Sequence, residues 1–403
     1  MKVTNTAWGI LGSRLFRRTF YARVHVTYRC NYSCRMCGIE SIRPQFRELE
    51  TEAYEAVAEQ LRALGARHVV LTGGEPFLRS DLPAIVAAFA RRRFSVRIQT
   101  NGGPHVTRER VAEVAGAGAS DLSVSVDTLD GDLQDWIAGG SGTLTHALRT
   151  LNLALELMPR GMSLANIVAS PHNFTQLPAL VRHFGERGIY TYITPAMVAA
   201  AGADPRGQHL FSGEDATFAF ASTLPDVRDR VMDELVALRR RGSGLTNSTR
   251  HLRDFQRSLA SGSSAWACAS GTFTIDVRPD GSVSACKEKP PLANILDPGF
   301  ARFYRSGGFR EQAAEQAGSC SGCFYGEYRE PAYAIRYPSV LAEWIVRWLR
   351  SFHRGMGWTG GLNRVSPGPG TPSPRGSTRG VPDAPAESAA PASVPSRSPR
   401  AAS

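Results

Sequence analysis

The stretch Arg23-Val24-His25-Val26-Thr27-Tyr28-Arg29-Cys30-Asn31-Tyr32-Ser33-Cys34-Arg35-Met36-Cys37 runs an alternating β-branched segment straight into three cysteines. The alternation predicts a strand over Arg23–Thr27. The cysteines follow at its C-terminal end, which is where barrels of repeated βα units place their chemistry. Three thiolates this close on one loop can wrap a corner of a four-iron cluster and leave one iron without a protein ligand. A structural zinc needs a closed set of four ligands, and no nearby Cys or His completes one. His25 reads as a packed or hydrogen-bonded side chain.

Outward from this segment, five more short apolar runs read as strands: His68–Thr72, Ser95–Thr100, Leu122–Val126, Leu164–Val168 and Tyr190–Thr194. Amphipathic stretches separate them, among them Tyr54–Leu64 and Leu82–Phe89, the latter with Ser80 as its expected N-cap. Repeated right-handed crossovers curl such a chain into an α/β fold, a partial (β/α)6 TIM-type barrel over residues 22–200. Residues 201–262 read as polar linking segments with a helix at Val227–Arg240. Residues 263–335 read as a separate, small α+β module built on Phe273–Val277, the turn Pro279-Asp280-Gly281, and Ser282–Ala285. Beyond lie an amphipathic segment, 336–356, and a Pro/Ser/Arg-rich tail, 357–403, too poor in bulky apolar residues to order itself.

Cys-x3-Cys-x2-Cys resembles the signature of the radical S-adenosylmethionine (SAM) superfamily, and the resemblance extends over residues 22–335. It implies a SAM-binding [4Fe-4S] cluster on Cys30, Cys34 and Cys37. The open iron would chelate the amino and carboxylate groups of SAM, and an electron from a donor such as flavodoxin or ferredoxin would yield a 5′-deoxyadenosyl radical that abstracts hydrogen from substrate. Thr72-Gly73-Gly74-Glu75-Pro76 is similar to the family's GGEP turn, which contacts the SAM amino group; its glycines permit close backbone approach to a ligand. Thr100-Asn101-Gly102 is similar to a strand-end motif near the SAM methionine portion. In Ser123-Val124-Ser125-Val126-Asp127 the alternation puts Ser123, Ser125 and Asp127 on one face, and the resemblance gives Ser125 and Asp127 contacts to SAM. Met36 stands where the family often has an aromatic residue against adenine, and its thioether can make a sulfur–aromatic contact. The family's fifth-strand pattern is absent from Leu164–Val168, which leaves Asn173 and Thr194 as the adenine candidates.

Cys268, Cys286, Cys320 and Cys323 supply four more thiolates, enough for every iron of a second [4Fe-4S] cluster or for one zinc. With the Pro279-Asp280-Gly281 turn and Asn294-Ile295-Leu296, they resemble the SPASM/twitch extension of radical SAM enzymes, in its shorter form with one auxiliary cluster. Such a cluster can accept an electron from a substrate radical or order the substrate pocket. Oxidation of an alcohol would need a base, for which Glu288, Tyr325 and Glu327 are the neighbours in sequence.

Among 403 residues with a formal net charge of +11, lysine occurs only at Lys2, Lys287 and Lys289, so nearly all the positive charge is arginine. The arginines are spread along helices and the tail without interleaved aromatics, which argues against a nucleic-acid partner. No apolar run nears the ~20 residues that cross a bilayer, and no signal peptide precedes the first strand, so a cytoplasmic location is expected. In Leu341–Arg354, Leu341, Trp344, Ile345, Trp348, Leu349 and Phe352 oppose Arg347, Arg350 and Arg354. Trp8, Leu11, Leu15 and Phe16 repeat the theme beside Arg14, Arg17 and Arg18. Such helices either pack on the barrel or lie on the inner membrane face, and the second alternative suggests a lipid substrate. Peptides, small natural-product precursors and lipids all remain open as substrates. A peptide-modifying enzyme often carries a further N-terminal binding domain of about 80 residues, for which the segment before Cys30 is too short, although a partner protein could supply it. The competing class is a non-catalytic metal-binding scaffold.

Overall fold

A computed structural model describes residues 18–42, 46–198, 213, 215–220, 225–264 and 266–346. The N-terminal segment up to residue 17, the arginines Arg347, Arg350 and Arg354 of the C-terminal segment and the Pro/Ser/Arg-rich tail lie outside these residues. Six parallel strands alternate with helices as the periodicity predicts: β1 (Tyr21–Thr27), β2 (His68–Gly73), β3 (Ser95–Thr100), β4 (Ala119–Ser125), β5 (Leu164–Ala169) and β6 (Tyr190–Pro195). Neighbours in sequence are neighbours in the sheet from β1 to β6, the order that successive right-handed crossovers produce. The result is the partial barrel of a mixed α/β protein.

Each strand shows one face to the helices and one to the interior. On β1, Ala22, Val24 and Val26 are buried in the main core with Val57 and Leu61 of helix Ala53–Ala63, whereas Tyr21, Arg23 and His25 line an internal cavity. On β3, Val96 and Ile98 join the core and Ser95, Arg97 and Gln99 face the cavity. Each large apolar side chain buried in this outer layer contributes about 1.5–3 kcal/mol. The inner faces carry polar groups instead, so the interior is a chamber rather than a packed core.

Three findings correct the sequence reading. Asp81, not Ser80, occupies the N-cap position of helix Leu82–Arg91, and its side chain makes no capping bond: its carboxylate is held by Arg79, which also donates to the carbonyls of Val26 and Leu49 at 3.1 Å each. The cysteine-bearing hairpin does not stand apart: β7 (Thr274–Val277) pairs in parallel with β1, and β8 (Ser282–Ser284) and β9 (Ala293–Asn294) continue the same nine-stranded sheet. Residues 201–262 are more than a linker where they are described. Helix Pro225–Arg241 buries Val231, Met232, Leu235 and Val236, and Asn247 pairs with the edge of β6, accepting from Ile193 N and donating to Ile193 O at 2.8 Å each.

Candidate active site

The loop after β1 carries Cys30, Cys34 and Cys37 into the wall of a cavity of about 640 Å³, within the range of small-molecule sites. Burial raises all three thiols, Cys37 to about 11, and at Cys34 the proximity of Cys37 and Cys30 adds to the effect. Asn101 reaches over from the end of β3, its side-chain amide 3.7 Å from Cys30 Sγ and 3.0 Å from Asn31 Oδ1. Among the described residues, no three His, Cys, Asp or Glu side chains converge as ligands of one metal ion. A multi-iron cluster spreads its thiolates over separate corners and does not require that convergence. Three grouped thiols with a side-chain amide donor to one sulfur fit such a group, and loading them would release protons.

The Gly-Gly-Glu-Pro turn acts on the chain's own backbone. Gly73 has φ +137°, and a Cβ there would sit 1.9 Å from the Thr27 carbonyl oxygen; one on Gly74 would sit 2.1 Å from that of Arg29. The two glycines let β2 close onto the three residues that lead into Cys30, with Gly74 N and Glu75 N donating to those same carbonyls at 2.8 Å. Glu75 is fully buried and accepts from Thr100 Oγ1 at 2.8 Å, Asn101 N at 2.7 Å and Phe77 N at 2.9 Å. It therefore joins the turn after β2 to the turn after β3 and so orients Asn101. Burial raises its carboxyl to about 7. Glu75 and the buried Pro76 are not among the cavity's lining residues; Met36, Gly73, Gly74, Asn101, Ser125 and Asp127 are.

Asp127 accepts from Val168 N at 2.7 Å and is lifted by burial to about 7. Asn173, an adenine candidate, is already committed: its amide donates to Asp127 O and Val168 O, and its oxygen accepts from Ser170 N. Thr194 does face the cavity.

The cavity wall also includes Lys287, Tyr325, Gly326 and Glu327, which flank the second cysteine set; Lys287 is near enough to Cys37 to lower its thiol against the effect of burial. Cys286 lies near Cys323 and Cys268, and Cys323 near Cys268 and Cys320; burial and these neighbours hold the Cys323 thiol at about 12. Backbone N–H groups of Ser270 and Gly322 donate to Cys268 and Cys320 at 3.4 Å. The fold thus gathers four cysteines spread over 56 positions of sequence. Of the candidate bases, Glu288 accepts from Tyr325 OH at 2.6 Å, and Glu327 pairs with Arg23 and with Lys287. Burial opposes ionisation of Glu327, but those two cations hold it at about 2.

Sequence reasoning missed Asp276. This fully buried carboxylate on β7 binds His25 Nε2 at 3.1 Å and Tyr328 OH at 2.7 Å and lies 3.5 Å from Arg23 Nε. Tyr328 OH in turn accepts from Lys287 N. Asp276 connects the strand that feeds the triplet to the segment that follows Cys286. Strand alternation in Thr274–Val277 could have flagged an acidic residue at an interior position.

Residues 24–184 match the family model described as the radical SAM superfamily. Over 136 residues the chain is 36% identical to a probable GTP 3′,8-cyclase of Archaeoglobus fulgidus, a match covering 34% of this chain and 44% of the relative. It is 38% identical over 117 residues to GTP 3′,8-cyclase 2 of Pseudomonas aeruginosa, with 28% and 35% covered. It thus spans less than half the length of these two relatives. Mycofactocin maturase MftC of Mycolicibacterium smegmatis is 27% identical over 307 residues, 74% of each chain. Among solved structures, Streptococcus suis SuiB bound to S-adenosylmethionine superposes with a TM-score of 0.56 at 16% identity, covering 76% of this chain and 73% of that one.

Proposed function

We propose, since residues 24–184 match the radical SAM family model, that this protein is an enzyme that cleaves SAM reductively and directs the resulting radical at a C–H bond of a molecule held in the barrel. The observation that carries the reading is that Cys30, Cys34 and Cys37, which follow the C-terminal end of β1, open into one cavity that runs along the strands. A [4Fe-4S] cluster on these thiolates would supply the electron and the open coordination site for SAM; a small redox protein such as flavodoxin or ferredoxin would reduce it. The chain's own contribution is placement. Asn101, held by Glu75, and Ser125, Asp127 and Met36, which line the same cavity, are the groups assigned to SAM. Gly73 and Gly74 fix the approach of the cysteine loop.

Cys268, Cys286, Cys320 and Cys323 are assigned to a second cluster. The length of the MftC match supports this assignment, since 307 residues exceed the barrel. Cytoplasmic location fits the expected chemistry, and among the described residues no helix is long and apolar enough to cross a membrane.

Anaerobic reconstitution tests the reading. The enzyme should bind about eight irons and form 5′-deoxyadenosine from SAM on reduction. Alanine at Cys30, Cys34 and Cys37 should abolish that product, and Cys320→Ala should spare part of it. Zinc in both sites without nucleoside product would establish a scaffold instead. Flotation with liposomes addresses membrane contact and with it a lipid substrate.

A further inference from the structure

The chamber below the cysteine loop is graded in chemistry along the strands. Register places Arg23 opposite Asp276, Val70 opposite Arg97, and Arg97 opposite Asp121. Below that tier the wall includes Tyr21, His68 and Ser95, and Leu341, Trp344 and Ile345 also line the cavity, from the helical segment 338–346. Among the described residues, Arg23, Arg97 and Lys287 are the cations on the wall, and two of them are consumed by the protein itself, because Arg23 and Lys287 converge on Glu327.

Arg97 differs. Its Nε donates to Asp121, and among the described residues its two terminal nitrogens have no hydrogen-bond partner. The side chain retains 30% exposure while lining the cavity, so the accessible edge of the guanidinium faces that interior space. Asp121 holds it cationic, raising it above its ordinary value against the opposing effect of burial. A planar fork with one edge clamped and the other presented to a chamber matches a carboxylate or phosphate through two parallel N–H bonds.

Resting on the reading of the cavity as the substrate site of a radical SAM enzyme, we propose that Arg97 anchors the substrate by an oxyanion group, a carboxylate or a phosphate. Asn101 lies four residues further along the chain, about 13 Å at about 3.3 Å per strand residue. The anionic end of the substrate therefore sits at Arg97, deeper in the chamber than the groups assigned to SAM, and its reacting carbon lies above it toward the cysteine loop. Asp121 limits how strongly the site attracts an anion, since it already neutralises the same guanidinium.

Calorimetric titration of the full-length, reconstituted, SAM-loaded protein with inorganic pyrophosphate and, separately, with N-acetylglycine tests this without requiring turnover. Saturable binding of either supports the proposal, and the one that binds identifies phosphate or carboxylate as the group. Arg97→Met should weaken that binding at least tenfold, with Arg97→Lys in between. Asp121→Asn should tighten it severalfold, the opposite of what a purely structural ion pair would give. A wild-type protein that forms 5′-deoxyadenosine yet binds neither probe overturns the proposal and leaves the enzymatic reading standing. Undiminished binding by folded Arg97→Met, or weakened binding by folded Asp121→Asn, overturns it as well.

Discussion

At the level of single residues, the glycine turn after β2 lines the cavity and also packs against the protein's own backbone. Gly73 combines a positive φ with a Thr27 carbonyl oxygen 1.9 Å from where a Cβ would stand. Gly73→Ala must therefore adopt an unfavourable backbone region and also push back the strand that leads to Cys30, at a cost of about 2 kcal/mol or more. Denaturant unfolding should report that loss, and iron content after reconstitution should fall with it. Glu75 makes a second residue-scale prediction. Its folded-state value of about 7 lies above the ordinary carboxyl value of 4.5, so its protonated form is favoured by folding and its contribution is lost as pH rises from about 4.5 through 7. His25 and His68, lowered by burial to about 4, act in the opposite sense between about 4 and 6.5, so the comparison with a variant is the clean measurement. Relative to wild type, Glu75→Gln should gain stability across that carboxyl window, and pH-independent unfolding differences between the two proteins would refute the assignment.

At the level of elements, what the sequence announced and what it concealed divide along contact range. All six barrel strands were readable because their signal is local: β-branched runs bounded by turn residues, repeated at helical intervals. The cysteine triplet was readable for the same reason. That β7 joins β1 was not, because strand pairing across some 250 positions leaves no local trace; only the interior position of Asp276 hints at it. The part taken by Glu75 was hidden likewise, since its partners Thr100 and Asn101 come from the next strand end. The β1–β7 seam carries its own prediction. Asp276→Ala leaves Arg23, His25 and Tyr328 without their shared buried acceptor, and removing one partner of such a group costs about 3–5 kcal/mol. Thermal unfolding should show a large drop for Asp276→Ala, and Asp276→Asn, which preserves shape and one acceptor, a smaller one.

At the level of the whole molecule, the amphipathic C-terminal helix gains a role that periodicity alone could not choose. Leu341, Trp344 and Ile345 line the cavity, and Glu343 accepts from Arg239 and from Thr249 N, so the segment is fastened to the barrel's helices as far as it is described. Removing residues 338–403 should expose the chamber to solvent, where water and reductant intercept reactive intermediates. The expected signature is 5′-deoxyadenosine formed in excess over any modified substrate, read by quantifying both products. The seam between β1 and β7 also has a meaning in time. His25 must wait for Asp276, 251 positions later, and at a synthesis rate of about 5–20 residues per second that interval lasts roughly 13–50 s. Through it, the strand nearest the first cysteines has one unpaired flank on the nascent chain, open to mispairing with a neighbouring polypeptide. Slowing translation upstream of residue 274 should lengthen this exposed period and lower soluble yield, and supplying β7 early in a circularly permuted chain should shorten it.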